Sequence, residues 1–184
     1  MPALIDGVQH DRAPGNPRRR SPPRPHCRDG DTVVVDLVQF ATAAGASVTP
    51  ISRKEGWALL QAWREIYGEP LRAATGKWGR HAWHTFSHGL FRSLRAKHAM
   101  AEYHAQDAAG LLVLLEDDHS IAIRCTSCSP VDFSPLYLNL YIAPPSFEWT
   151  MVFTHEHPDY GPYFSRAAWW SGSAPHGRHG QPAK

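Results

Sequence analysis

Every aromatic side chain of this 184-residue chain lies between Phe40 and Trp170: 7 Trp, 6 Tyr and 7 Phe, 20 in all. Aromatic rings carry much of the surface that a domain buries, so any core must be built inside that window. Residues 1–30 hold six Pro and six Arg, with almost no large apolar side chain after Val8. Such a segment cannot offset an ordering cost of about 1–2 kcal/mol per residue. Residues 1–30 and the Gly/Pro/His-containing stretch 171–184 are therefore expected to be disordered tails around a single domain at 31–170.

Charge follows the same division. The tails hold six Arg, Arg178 and Lys184 against three Asp, which leaves 11 basic and 14 acidic residues in the body. The basic pI of about 8.5 thus belongs to the ends. A folded body near −3 lacks the basic face that nucleic-acid binding wants, so only the Arg-rich tail, Arg18 to Arg28, is a candidate nucleic-acid tether. No apolar run approaches the roughly 18–20 residues of a membrane span. Three cysteines do not make a disulfide framework, and a cytoplasmic protein with no membrane association is expected.

Within the body, Val34, Leu37, Val38 and Ala41 recur at helical spacing up to Gly45, although Val33-Val34-Val35 also suits a strand. Ala46 to Ile51 reads as a short strand. Ser52-Arg53-Lys54-Glu55 is a capping box before the apolar stripe Leu59, Leu60, Trp63, Ile66 and Tyr67, and Gly68 with Pro70 is expected to end that helix. Residues 82–88 fit helix or strand, and Ser93 to Gln106 suits a helix. Strands are expected at 111–116, 120–124, 137–142 and 148–154. The prediction is an α+β domain, with N-terminal helices packed on one side of a largely antiparallel sheet of about four to five strands.

Several groups invite chemistry. His155, His157 and Asp159 form an H-x-H-x-D string like the metal-binding start of metallo-β-lactamase-type hydrolases, but Tyr160 stands where that family has His and too little chain follows. Strand parity places His155 on the face of Trp149, Met151 and Phe153 as a core-facing imidazole, with Glu156 opposite. His81, His84 and His88, spaced i, i+3 and i+7, are a weak metal candidate without nearby carboxylates or thiols. Cys125 and Cys128 form a lone C-x-x-C, read as two small residues at a strand end. No nucleotide or flavin fingerprint is present and no cofactor is expected.

The strings Trp83-His84-Thr85-Phe86-Ser87, Phe147 to Glu156 and Gly161-Pro162-Tyr163-Phe164 resemble the bacterial domain-of-unknown-function family 4275, over residues 36–164. The chain departs from that pattern at His88, where an aromatic residue is expected. The resemblance implies a small cytosolic domain, and no activity comes with it. It also marks where a site would lie if the strings meet: Trp83, His84, Ser87, His155, Glu156 and Tyr163.

The acidic, aromatic-rich body is read first as a non-enzymatic protein-binding domain, immunity- or adaptor-like, with Trp83, Ser87, Trp149 and Trp169 as binding residues. The alternative is a hydrolase-type enzyme in which His84 or His155 acts as general base, assisted by Glu156 or Tyr163.

Overall fold

The computed structural model describes residues 30–77, 81–116 and 121–170. The expected tails, apart from Gly30, and the expected turn at 117–119 lie outside the described residues. Helix α1 (Gly30–Ala43) carries the Val34-Leu37-Val38-Ala41 stripe, with Leu37 and Ala41 fully buried, and Gly45 turns the chain at φ +84°. Strand β1 (Ser47–Ile51) follows. Helix α2 (Arg53–Trp63) starts at the expected cap, where the Ser52 hydroxyl accepts the Glu55 N–H at 3.3 Å.

The expected stop at Gly68 and Pro70 does not occur. Arg64–Gly68 forms a π-helical turn, and helix α3 (Glu69–Thr75) continues from it until Gly76 at φ +74°. Pro70 sits in the first turn of α3, where its missing N–H had no intrahelical partner to lose. A four-residue helix α4 (His84–Ser87) settles the ambiguity at 82–88. The helix expected from Ser93 begins later, as α5 (Lys97–His104), because Leu94–Arg95 is taken up as strand β2.

Strands β3 (Leu111–Leu115), β4 (Ala122–Thr126), β5 (Leu140–Ala143), β6 (Trp149–Phe153) and β7 (Tyr163–Arg166) complete the sheet. Seven strands run antiparallel in the order β1-β4-β3-β5-β6-β7-β2, so the α+β class holds while four to five strands is corrected to seven. The two unforeseen strands are β2, too short to show alternation, and β7, which follows a Gly-Pro turn. The edges are β1, which contains Pro50, and the two-residue β2.

The helices are not gathered on one side, as the sequence led us to expect. Val113, Ile123, Ile142, Met151, Phe153 and Phe164 pack with Leu37 and Ala41 of α1 and Ala99 and Tyr103 of α5. Leu112, Leu114, Tyr141, Ala143, Val152 and Tyr163 pack on the opposite face against Leu60, Trp63 and Tyr67 of the long helix and Trp83 and Phe86 around α4. Both faces are therefore buried. Thr150, a polar residue between Trp149 and Met151, lies wholly buried under α2, where its hydroxyl accepts the Trp63 indole N–H at 2.8 Å and donates to the Ile142 carbonyl at 3.2 Å. Trp63 also stacks on Tyr141, with ring centroids 3.8 Å apart and 16° between planes.

Candidate functional site

Antiparallel pairing brings the C-terminal ends of β3 and β6 and the N-terminal ends of β5 and β7 to one end of the sheet. The residues just past those ends, Glu116, Asn139 and His155, meet the turn at His81 to His84 there. At the centre is Glu116, whose side chain is only 4% exposed. Its Oε1 accepts the Ala82 N–H at 2.8 Å and lies 3.6 Å from Arg64 Nη2, while Oε2 is 3.4 Å from His81 Nδ1. Arg64 begins the π-helical turn, a distortion that recurs at functional sites.

Asn139, itself buried, links two imidazoles. Its carbonyl oxygen accepts the His155 backbone N–H at 3.1 Å and lies 2.9 Å from His155 Nδ1, and its amide nitrogen is 3.2 Å from His81 Nδ1. The backbone N–H decides which end of the amide is oxygen. His155 Nδ1 therefore donates its proton to Asn139, and Nε2 is left as the basic nitrogen, 3.6 Å from Glu156 Oε1. His81 Nδ1 correspondingly accepts.

His155 is not the core-facing imidazole that parity implied. Strand β6 ends at Phe153, and the chain turns so that the His155 side chain, 43% exposed, joins His81 and Trp83 on the side of Tyr141. With the strand ended, Glu156 stands beside His155 rather than opposite it. His157 departs to another surface, beside Lys97, Met100 and Asp132, so the H-x-H-x-D string splits.

Four imidazoles form a row: His155 to His81 at 5.3 Å between ring centroids, His81 to His84 at 6.1 Å and His84 to His88 at 5.1 Å. His88 stacks on His84 at 16°. Among the described residues no group of three His, Cys, Asp or Glu is placed to hold a metal ion. Burial, followed by repulsion from His88 and His81, holds His84 below the usual imidazole value, outweighing the carboxylates of Glu156 and Glu116.

Trp83 is fully buried beneath this row, 4.0 Å from the His84 ring and 6.5 Å from Tyr163, which stacks at 20°. Tyr160, 47% exposed, lies 6.3 Å from Trp83 on the outer side. The Gly161-Pro162 turn thus folds back so that Tyr160 and Tyr163 both lie near Trp83. Buried polar atoms without an aligned protein hydrogen bond gather around Glu116: Arg64 Nε, Glu116 Oε2 and the Tyr141 hydroxyl, with Trp83 Nε1 close by. Ordinary cores satisfy such groups. Burial pushes the Tyr141 hydroxyl well up, and the neighbouring Glu116 charge adds to that.

Among the remaining candidates, Ser87 Oγ is 3.1 Å from His84 Nδ1. Burial raises the Tyr163 hydroxyl, against the pull of Arg95. Trp149 is a core residue, against Phe164 and Tyr103, and has no face to offer a partner. Trp169 is half-buried against Phe164 with Arg92 over its ring, whereas its neighbour Trp170 is exposed, as is Trp57 on α2. Cys125 is buried in β4, its thiol pushed up to about 11, and Cys128 is exposed beyond the strand end. Arg64, Glu116 and Asn139 were missed by the sequence reading. Asn139 and Glu116 each sit at the end of an apolar strand run, the one signal that pointed to them. No protein-family model, curated protein or solved structure matches this chain.

Proposed function

We propose that the chain is a non-enzymatic protein-binding domain, immunity- or adaptor-like, whose contact surface is the rim around Trp83. One observation carries this reading: Tyr160, about half exposed, projects from a rigid aromatic base of Trp83 and Tyr163, with the His155–Glu156 pair beside it. A rigid tyrosine on a buried aromatic support is a suitable interface anchor, because little side-chain entropy is left to lose. Tyr137, 55% exposed, precedes Asn139 at the same sheet end and extends the surface. The test is capture of a partner by the immobilised full chain, with hydrogen exchange mapped on the recovered complex. Protection at 155–160 and 84–88, and loss of capture with Tyr160→Ala, are expected. Capture unaffected by Tyr160→Ala and Tyr137→Ala, with no protection at the rim, refutes it.

A hydrolase-type reading is supported by the tautomer that Asn139 imposes on His155, which turns a basic nitrogen outward. Hydrolysis of a panel of p-nitrophenyl esters should then fall with His155→Gln and with Asn139→Leu. Equal rates in wild type and both variants exclude it. The Arg-rich tail is proposed as a nucleic-acid tether only if salt-sensitive binding disappears when residues 1–30 are removed. Membership of family 4275 and a cytoplasmic location are proposals resting on the quoted strings and on the composition.

A further inference from the structure

The acidic charge of the body is not spread evenly along it. Residues 76–101 are 26 consecutive positions without Asp or Glu, and they hold five of the body's 11 Lys and Arg together with four His, which leaves six basic against 14 acidic residues elsewhere in the body. The fold gathers the second half of this segment on one border of the sheet. There β2 is the edge strand, α5 starts two residues after it, and Arg92, Arg95, Lys97 and His98 are all exposed. Glu102, the one carboxylate of α5, is already taken by Arg166 at 2.6 Å. This border is thus a positive stripe on a domain that is otherwise acidic.

Flat rings flank the stripe. Arg92 lies 5.2 Å over the Trp169 ring, past the C-terminal end of β7, and Arg95 lies 5.9 Å over the Tyr160 ring, before its N-terminal end, while donating to the Asp159 backbone carbonyl. The length of β7 separates the two guanidinium groups, about 10 Å at the usual rise per residue, so they suit separate phosphates and not a single one. Among the described residues neither forms an ion pair within 4.0 Å with a carboxylate. Two rings along the stripe reach solvent: Tyr160, and Trp170, which is 40% exposed and rests on Phe91 with centroids 6.2 Å apart and 27° between planes. The exposed residues Glu156 and Asp159 adjoin the Tyr160 end, so stacking against an anionic chain falls chiefly to Trp170. Single-stranded nucleic acid presents both groups that this arrangement takes, a row of phosphates for separated cations and unpaired bases for exposed rings. A duplex hides its base faces, and an acidic peptide or an anionic bilayer has none.

We infer that the β2 border binds single-stranded nucleic acid, with separate phosphates on Arg92, Arg95 and Lys97 and a base stacked on Trp170. This site does not rest on the protein partner proposed above or on the Arg-rich tail, and Arg92 and Trp170 belong to neither. The test is fluorescence anisotropy of the full chain with a labelled oligothymidylate of about 15 nucleotides, against a duplex of the same length and phosphatidylserine vesicles, over a range of salt. Arg92→Gln and Arg95→Gln should each weaken oligothymidylate binding by about fivefold at low salt and reduce the slope of log affinity against log salt by about 0.7, one phosphate contact each. Residues 1–30 are present in every variant, so binding through the tail alone leaves both slopes at the wild-type value. Trp170→Ala should weaken binding by at least about fivefold with the slope unchanged, because it removes a stack and no charge. Amide shifts in the wild type should centre on residues 88–98 and 168–170, a readout that does not depend on how the variants fold. The inference is overturned by no saturable binding at about 50 mM salt, or by duplex or vesicle binding as tight as that of the oligothymidylate. Wild-type slopes in both arginine variants, full affinity in Trp170→Ala, or shifts centred elsewhere would overturn it as well.

Discussion

Removing the Glu116 carboxylate tests whether this side chain organises the sheet end. It is 4% exposed and receives the Ala82 N–H at 2.8 Å, the contact that holds the turn leading to Trp83 and His84. In Glu116→Ala that N–H loses its acceptor, at about 1–3 kcal/mol. Arg64 loses its counter-charge too. Breaking a fully buried pair costs roughly 3–5 kcal/mol, but Arg64 is 17% exposed at 3.6 Å, so its share is well below that range. The total is about 3 kcal/mol. Glu116→Gln keeps a carbonyl oxygen for Ala82 and for Arg64, and should cost only about 1 kcal/mol. Urea unfolding followed by tryptophan fluorescence measures the difference. With a slope of about 1.5 kcal/mol/M, Ala should lower the midpoint by about 2 M and Gln by under about 1 M. A Gln variant as unstable as the Ala variant, or an Ala variant within about 0.5 kcal/mol of wild type, would refute the assignment.

Two further outcomes follow from buried or shielded polar groups. Thr150→Val is nearly isosteric but leaves the Trp63 indole N–H buried without its acceptor, so stability should fall by about 1–3 kcal/mol, read by the same unfolding assay. Because His84 is held below its ordinary value, the unfolded chain binds its proton more readily. Its contribution is complete above the ordinary imidazole value near 6.5 and is lost as pH falls through the lower folded value. Unfolding midpoints measured from about pH 7.5 down to about pH 5 should therefore fall less steeply in His84→Gln than in wild type.

The parts of the fold that were legible in the sequence were those set by local chemistry. The Ser52 cap and the α1 stripe are short-range patterns, and they appear where the residues placed them. Gly68 and Pro70 misled because a π-helical turn and a first-turn proline let the helix run on, so the two punctuating residues cost it nothing. The second buried face was hidden by Thr150 and Tyr141, whose polar atoms read as solvent-facing although α2 covers both. At the site, the histidines were visible as residue types. The His81–Asn139–His155 linkage spans residues 81–155, and only the strand pairing brings its members together beside Glu116. His155 went astray for a simpler reason: parity holds only while the strand lasts, and β6 stops two residues before it.

The sheet's two borders limit how this chain associates. On one flank Pro50 interrupts the row of N–H donors that an incoming strand would need, and on the other β2 offers only two residues before α5 begins. Neither flank is a template for another chain's backbone. Strand-by-strand growth, and with it the commonest route by which sheet proteins polymerise, is blocked at both sides. Of the contacts left open, those at the strand ends go through side chains, where Tyr137, Tyr160 and the imidazoles already stand.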